Sequence, residues 1–127
     1  MSFDWKQYLT LAEELSRKST TPANLEARQR TAISRAYYAA FLSARNYLRD
    51  YKKLPVSQTG EAHRDVAQQF RLNAEPNNQT IADNLRRLRL YRNQADYTDK
   101  FPGLIAIAEI SLELSQEVIF ILENLQN

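Results

Sequence analysis

Among its 127 residues the chain has no cysteine, two glycines, four prolines and a single histidine. Each scarcity removes an option. Without cysteine there are no disulfides, no thiolate metal sites and no cysteine nucleophile, which fits a reducing, cytoplasmic setting. Two glycines leave little material for the tight turns that hairpin sheets require. One histidine and no cysteine argue against a transition-metal site, and no cofactor is expected. No Gly-rich phosphate loop, HExxH helix or GxSxG elbow is present. No apolar run is long enough to span a bilayer. The first residues, MSFDWKQYLTL, carry Asp4 and Lys6, which is unlike a signal peptide. The expectation is a soluble cytoplasmic protein without a membrane partner.

What is present favours helices: the chain is rich in Ala, Leu, Arg, Glu and Gln. Its length suits one domain, residues 1–127. The net charge of +2 hides an asymmetry. Residues 1–100 hold all 17 Lys and Arg against 11 acids, whereas 101–127 hold four glutamates and no base. Twelve of the bases are arginine, the side chain suited to bidentate phosphate and carboxylate recognition.

Periodicity marks out the helices. The first is expected over about Phe3 to Lys18, with Trp5, Tyr8, Ala12 and Leu15 on one face and Ser2 as cap. The second runs from about Pro22 to Tyr51, capped by Thr21, on a stripe of Ile33, Tyr37, Ala40, Ala44, Leu48 and Tyr51. Its alanines let another helix approach closely, and Tyr37, Tyr38 and Phe41 read as core bulk, with tyrosine hydroxyls reaching a polar site as the functional alternative. A short third helix covers about Glu61 to Leu72 on Ala62, Val66 and Phe70. His63 lies one position off that stripe, where a half-exposed side chain is the plainer reading and a general acid or base the functional one. The fourth helix is capped by Asn77 or Asn78. The fifth extends from about Pro102 to Gln126 and is apolar around much of its girth, so it is either central or shared with a partner. The fold expected is all-α, an antiparallel bundle of four to five helices with short loops.

The densest polar chemistry lies in Arg86 to Tyr97, RRLRLYRNQADY. Leu85, Leu88, Tyr91 and Ala95 form its core stripe, and Arg89, Arg92, Asn93 and Asp96 are expected to cluster on a neighbouring face. Arg92 and Asp96, four apart, can pair on the surface. The remaining guanidinium groups are then available for a phosphate.

Two segments carry a family resemblance. Thr31-Ala-Ile-Ser-Arg-Ala-Tyr-Tyr-Ala-Ala-Phe41 resembles the signature helix of HEPN domains (higher eukaryotes and prokaryotes nucleotide-binding). Arg92-Asn93-Gln94-Ala95-Asp96-Tyr97 resembles the second signature in the subgroup that reads R-x-x-A-D-Y. His63, Val66 and Phe70 fall where that subgroup often has the same three residue types. The resemblance covers about Ala27 to Glu123. It implies an up-and-down bundle that often dimerises, with the motif faces forming a cleft. Active family members are metal-independent ribonucleases whose motif is an arginine, a polar residue, and a histidine four to six intervening positions after the arginine. Arg92 and Asn93 match the first two. The three histidine positions hold Tyr97, Thr98 and Asp99. Tyrosine, with an ordinary pKa near 10, is poorly matched to acid–base work at neutral pH. Asp96 and His63 are the remaining catalytic candidates beside Arg92.

Three functions follow as expectations. The first is a homodimeric HEPN-like protein that binds nucleotide or RNA phosphate through Arg89, Arg92, Asn93 and Tyr97, with weak cleavage or none, as part of a toxin–antitoxin or defence module. The second is an interaction module paired with a small nucleotidyltransferase. The third is an active ribonuclease toxin.

Overall fold

Five helices, with no strand among the described residues, account for most of the chain: α1 (Gln7–Ser16), α2 (Leu25–Asp50), α3 (Ala62–Arg71), α4 (Pro76–Tyr97) and α5 (Leu104–Gln126). This computed structural model describes residues 3–17, 25–56 and 61–126. The expected caps Ser2 and Thr21, with Lys18 and Pro22, lie outside the described residues.

Helix directions can be read from side-chain pairs. Arg35 stacks on Tyr8, and Arg28 donates to the Glu14 carbonyl, so α1 and α2 are antiparallel. Arg30 reaches the Ala95 and Thr98 carbonyls while Arg92 reaches the Tyr38 hydroxyl, so α2 and α4 are antiparallel. Asn84 bonds Leu114 and Glu117 of α5, and Ala95 packs with Ala108 further back, which makes α4 and α5 antiparallel. These four helices alternate up and down. The short α3 runs alongside α2 in the same direction, with His63 against Phe41 and Phe70 against Tyr47.

Helix α2 packs on all four others. Ala32, Ala36, Ala39, Ala40 and Ala44 are all buried, and with no side chain beyond Cβ they let neighbouring backbones come close. The Ser115 hydroxyl donates to the Ala36 carbonyl at 2.7 Å, a contact that needs such an approach. The expected stripe of α2 is buried apart from Tyr51, which is exposed at the C-terminal turn. Helix α5 is central, packing on α1, α2 and α4.

Three helix starts differ from the sequence reading. Helix α1 begins at Gln7, because Asp4 forms a turn first: its carboxylate accepts the Lys6 N–H at 3.1 Å. Helix α4 begins at Pro76 with Glu75 as cap, and neither Asn77 nor Asn78 caps it. Proline at the first helical position loses no hydrogen bond and is already held at a helical φ. Asn78 is instead a buried residue of the first turn. Helix α5 begins at Leu104 because Gly103 takes a positive φ of 74° that the helix cannot include.

Arg30 closes the C-terminal end of α4. Its guanidinium donates to the Ala95, Thr98 and Asp99 carbonyls at 3.0, 2.6 and 3.1 Å, and to Glu26 at 3.4 Å. Carbonyls at a helix C-terminus have no partner within the helix and carry the negative end of its dipole, so a cation is well placed there. The Arg30→Ala variant is expected to lose about 1.5–3 kcal/mol of stability, the range for hydrogen bonds to a charged group. Urea unfolding measures the loss, and amide exchange should show it as fraying at residues 95–99.

Candidate functional site

The residues of the Arg86–Tyr97 stretch divide into two sets. Arg92 turns inward and is 9% exposed, an unusual depth for an arginine. One of its terminal nitrogens donates to the Tyr38 hydroxyl at 3.0 Å. The guanidinium carbon sits 5.3 Å above the Tyr38 ring and 5.6 Å above that of Tyr37, both cation–π distances. Its Nε lies 3.9 Å from the Asp96 carboxylate, an ion pair but not a hydrogen bond, so that buried N–H has no acceptor. Asp96 in turn accepts a long bond of 3.4 Å from Ser34. Arg35 also lies over the Tyr38 ring, at 5.2 Å, and covers Tyr8 at 4.7 Å. A row of alternating cations and aromatic rings therefore joins α1, α2 and α4.

Arg89 and Asn93 turn the other way, into a groove of about 290 Å³ between α3 and α4. Arg64 and Arg71 of α3 and Arg86 of α4 also line it, over a floor that includes Ala67, Ala82, Leu85 and Leu90. No Asp or Glu is among its lining residues. Arg71 is held by Asp83 at 2.7 Å. Arg64, Arg86 and Arg89 have no side-chain hydrogen bond or ion pair among the described residues. Tyr97, 75% exposed at the end of α4, is not among the groove residues.

His63 is brought to both sets. The buried row of Ala62, Val66 and Phe70 fixes α3 on the core, and the adjacent position points His63 between α2 and α4. Its Nδ1 pairs with the Tyr37 hydroxyl, its ring stacks on Phe41 with centroids 4.5 Å apart, and it forms part of the groove wall. Burial, followed by the charges of Arg89 and Arg92, pushes its pKa below the ordinary value near 6.5. Burial also raises the Tyr37 hydroxyl well above the usual tyrosine range, outweighing the opposite pull of Arg89 and Arg92. Among the described residues no group of three His, Asp or Glu side chains is placed to hold a metal ion.

The sequence reading favoured Tyr37 and Tyr38 as core and kept a polar role for their hydroxyls as the lesser alternative. The structure shows both, Tyr37 paired with His63 and Tyr38 with Arg92, and adds Ser34, which the reading left out. That reading also left out Arg64, Arg71 and Arg86. For Arg86 the signal was present: Arg86, Arg89 and Asn93 are spaced by three and four, which is one helix face, whereas Arg92 and Asp96 belong to another.

Five helices packed as a bundle, with no strand among the described residues, are consistent with a HEPN fold. Residues 11–125 match the HEPN domain family, and the chain belongs to that family. Comparison with curated proteins and with solved structures gives no match.

The two sets should respond differently to truncation. Arg92→Ala is expected to cost about 1–3 kcal/mol, because it leaves the Tyr38 hydroxyl and Asp96 without their buried partner. Arg89→Ala should stay within about 0.5 kcal/mol, as an unpaired surface residue does. Thermal or urea unfolding of both variants checks this. His63 should also make stability depend on pH. With its folded pKa below 6.5, the unfolded chain binds the proton first, so stability falls as pH drops below about 6.5. Wild type should therefore lose stability relative to His63→Gln between pH 7 and pH 5, measured by urea unfolding at each pH.

Proposed function

We propose that this HEPN-domain protein binds the phosphates of RNA or of a nucleotide along the α3/α4 groove, at the cleft of a homodimer. Arg89 and Asn93 make the contacts, and Arg92 sits behind them to hold α4 against α2. The observation that carries this reading is a groove lined by four arginines and no carboxylate, three of those arginines having no side-chain partner among the described residues. Guanidinium groups left uncompensated by acids are matched by phosphate. Leu85, Leu90 and Ala67 offer an apolar surface beside them for a base or sugar. Tyr97 at the end of α4 extends the same face outward, where a flexible strand can stack on it. Efficient cleavage is not part of this proposal. Tyr97, Thr98 and Asp99 stand where the ribonuclease motif places its histidine, and Asp96 is engaged with Ser34 and Arg92. A role in a toxin–antitoxin or defence module belongs to the same reading.

A second reading draws on α5, which leaves Ile105 and Phe120 exposed at 60% and 65%. An apolar contact of that kind suits a protein partner such as a small nucleotidyltransferase, which co-purification with the neighbouring gene product would test.

The direct test is fluorescence anisotropy with a labelled single-stranded RNA across a salt series. Arg89→Ala should weaken binding and reduce the slope of log K against log salt by about 0.7, the contribution of one phosphate contact. Unchanged affinity and slope in Arg89→Ala would remove the groove from the binding site. An intact RNA after incubation without metal is the expected outcome of a parallel cleavage assay.

A further inference from the structure

The only histidine of the chain has one edge of its ring committed inside the fold. Nδ1 of His63 faces the Tyr37 hydroxyl, and Tyr37 is 1% exposed. A neutral imidazole carries one N–H and one lone pair, so the hydrogen bond at the buried nitrogen decides what the other nitrogen can do. Two arrangements are conceivable at Nδ1. If Nδ1–H donated to the tyrosine oxygen, the phenol proton would need a second acceptor. Among the described residues the Tyr37 hydroxyl has no hydrogen-bond partner except His63. A buried hydroxyl left with an unused donor is costly. The phenol therefore donates, Nδ1 accepts, and the imidazole proton is on Nε2.

The surroundings oppose a second proton. From α2, Tyr37, Tyr38 and Phe41 face the ring; from α4, Arg89 and Arg92 act on it; Arg64 follows it on α3. An imidazolium would present a donor to the Tyr37 donor and add positive charge to a groove that has no carboxylate among its lining residues.

We propose that Tyr37 locks His63 in the Nε2–H tautomer, so that His63 serves the α3/α4 groove as a neutral hydrogen-bond donor to a phosphate oxygen beside Arg89, and not as a proton acceptor. Tyr37 is then a positioning residue that acts through His63. The identity of the acceptor rests on the phosphate reading above, whereas the tautomer stands without it. Such a donor contributes a hydrogen bond while adding no charge for the neighbouring arginines to repel.

Long-range ¹H–¹⁵N NMR of the ¹⁵N-labelled protein reads the tautomer, and with one histidine the spectrum holds a single imidazole. At pH 7.5 the expected result is a pyrrole-type Nε2 and a pyridine-type Nδ1. Tyr37→Phe should move both nitrogens toward the averaged values of a tautomer mixture. A protonated Nδ1 in the wild type would overturn the proposal without need of any variant. Titration with inorganic phosphate, and separately with AMP, should shift the Nε2 resonance. AMP binding is expected to weaken about tenfold in His63→Leu, the loss of roughly one hydrogen bond to a charged group. His63→Gln, whose amide supplies an N–H near the same place, should recover most of that loss. Equal loss in both variants overturns the donor role. If phosphate and AMP leave His63 unmoved while labelled RNA still binds through Arg89, the donor role fails and the groove reading survives. If RNA, phosphate and AMP all fail to bind while the Nε2–H tautomer is found, the phosphate reading fails and takes the donor role with it.

Discussion

The structure depends on how closely other helices can approach α2. Half of its 26 residues are buried, and five of those are alanines without volume to hold a neighbour off. Close approach brings the α4 backbone near enough for Arg92 to lie across Tyr37 and Tyr38, and the α5 backbone near enough for Ser115 to reach the Ala36 carbonyl. Larger side chains at Ala36 or Ala40 would overpack the core, at a cost of about 1–3 kcal/mol each. At Ala36, which packs with Ala12, Ala32, Leu15 and Leu112, the added volume would also push α5 and its Ser115 hydroxyl away from the Ala36 carbonyl. Packing and polar chemistry are thus set by the same small residues.

The two arginines at the centre of α4 show why a residue type does not define a role. Arg92 lies in the second family signature and would be the first choice for a ligand contact. Its guanidinium is spent on Tyr38, the two rings and Asp96, in surroundings where leaving it unpaired would be costly. Arg89, three residues earlier, lines the groove with no intramolecular partner among the described residues. A buried anchor and an unpaired, groove-facing charge are therefore carried by neighbouring residues on different faces of one helix.

Most of the architecture was legible in the sequence because helical periodicity is a local property. All five helices stand where the spacing of apolar residues puts them, with errors of a few residues at the starts of α1, α4 and α5, the expected start of α2 lying outside the described residues. Those errors have local causes too: the Asp4 turn, the proline that opens α4, and Gly103. The site was less legible, because it depends on the rotation of α4 about its axis and on what stands opposite. Grouping Arg89, Arg92, Asn93 and Asp96 as one cluster treated two faces as one. The placement of His63 against Tyr37 joins residues 26 apart in sequence on two different helices, and no spacing rule contains that information. The role of Arg30 was invisible for the same reason, since the three carbonyls it binds lie 65 to 69 residues away.

That arginine has a mechanical consequence. By gripping three carbonyls at the end of α4 while rooted in α2, Arg30 opposes sliding of the two helices along each other. A slip of one helical turn, about 5.4 Å, would take all three carbonyls beyond its reach. The α4 wall of the groove is thus tied to α2 at its C-terminal end. The opposite wall is the ten-residue α3, which makes no contact with α1 or α5. Of the two walls, α3 is therefore the less braced, held to the core through Ala62, Val66 and Phe70.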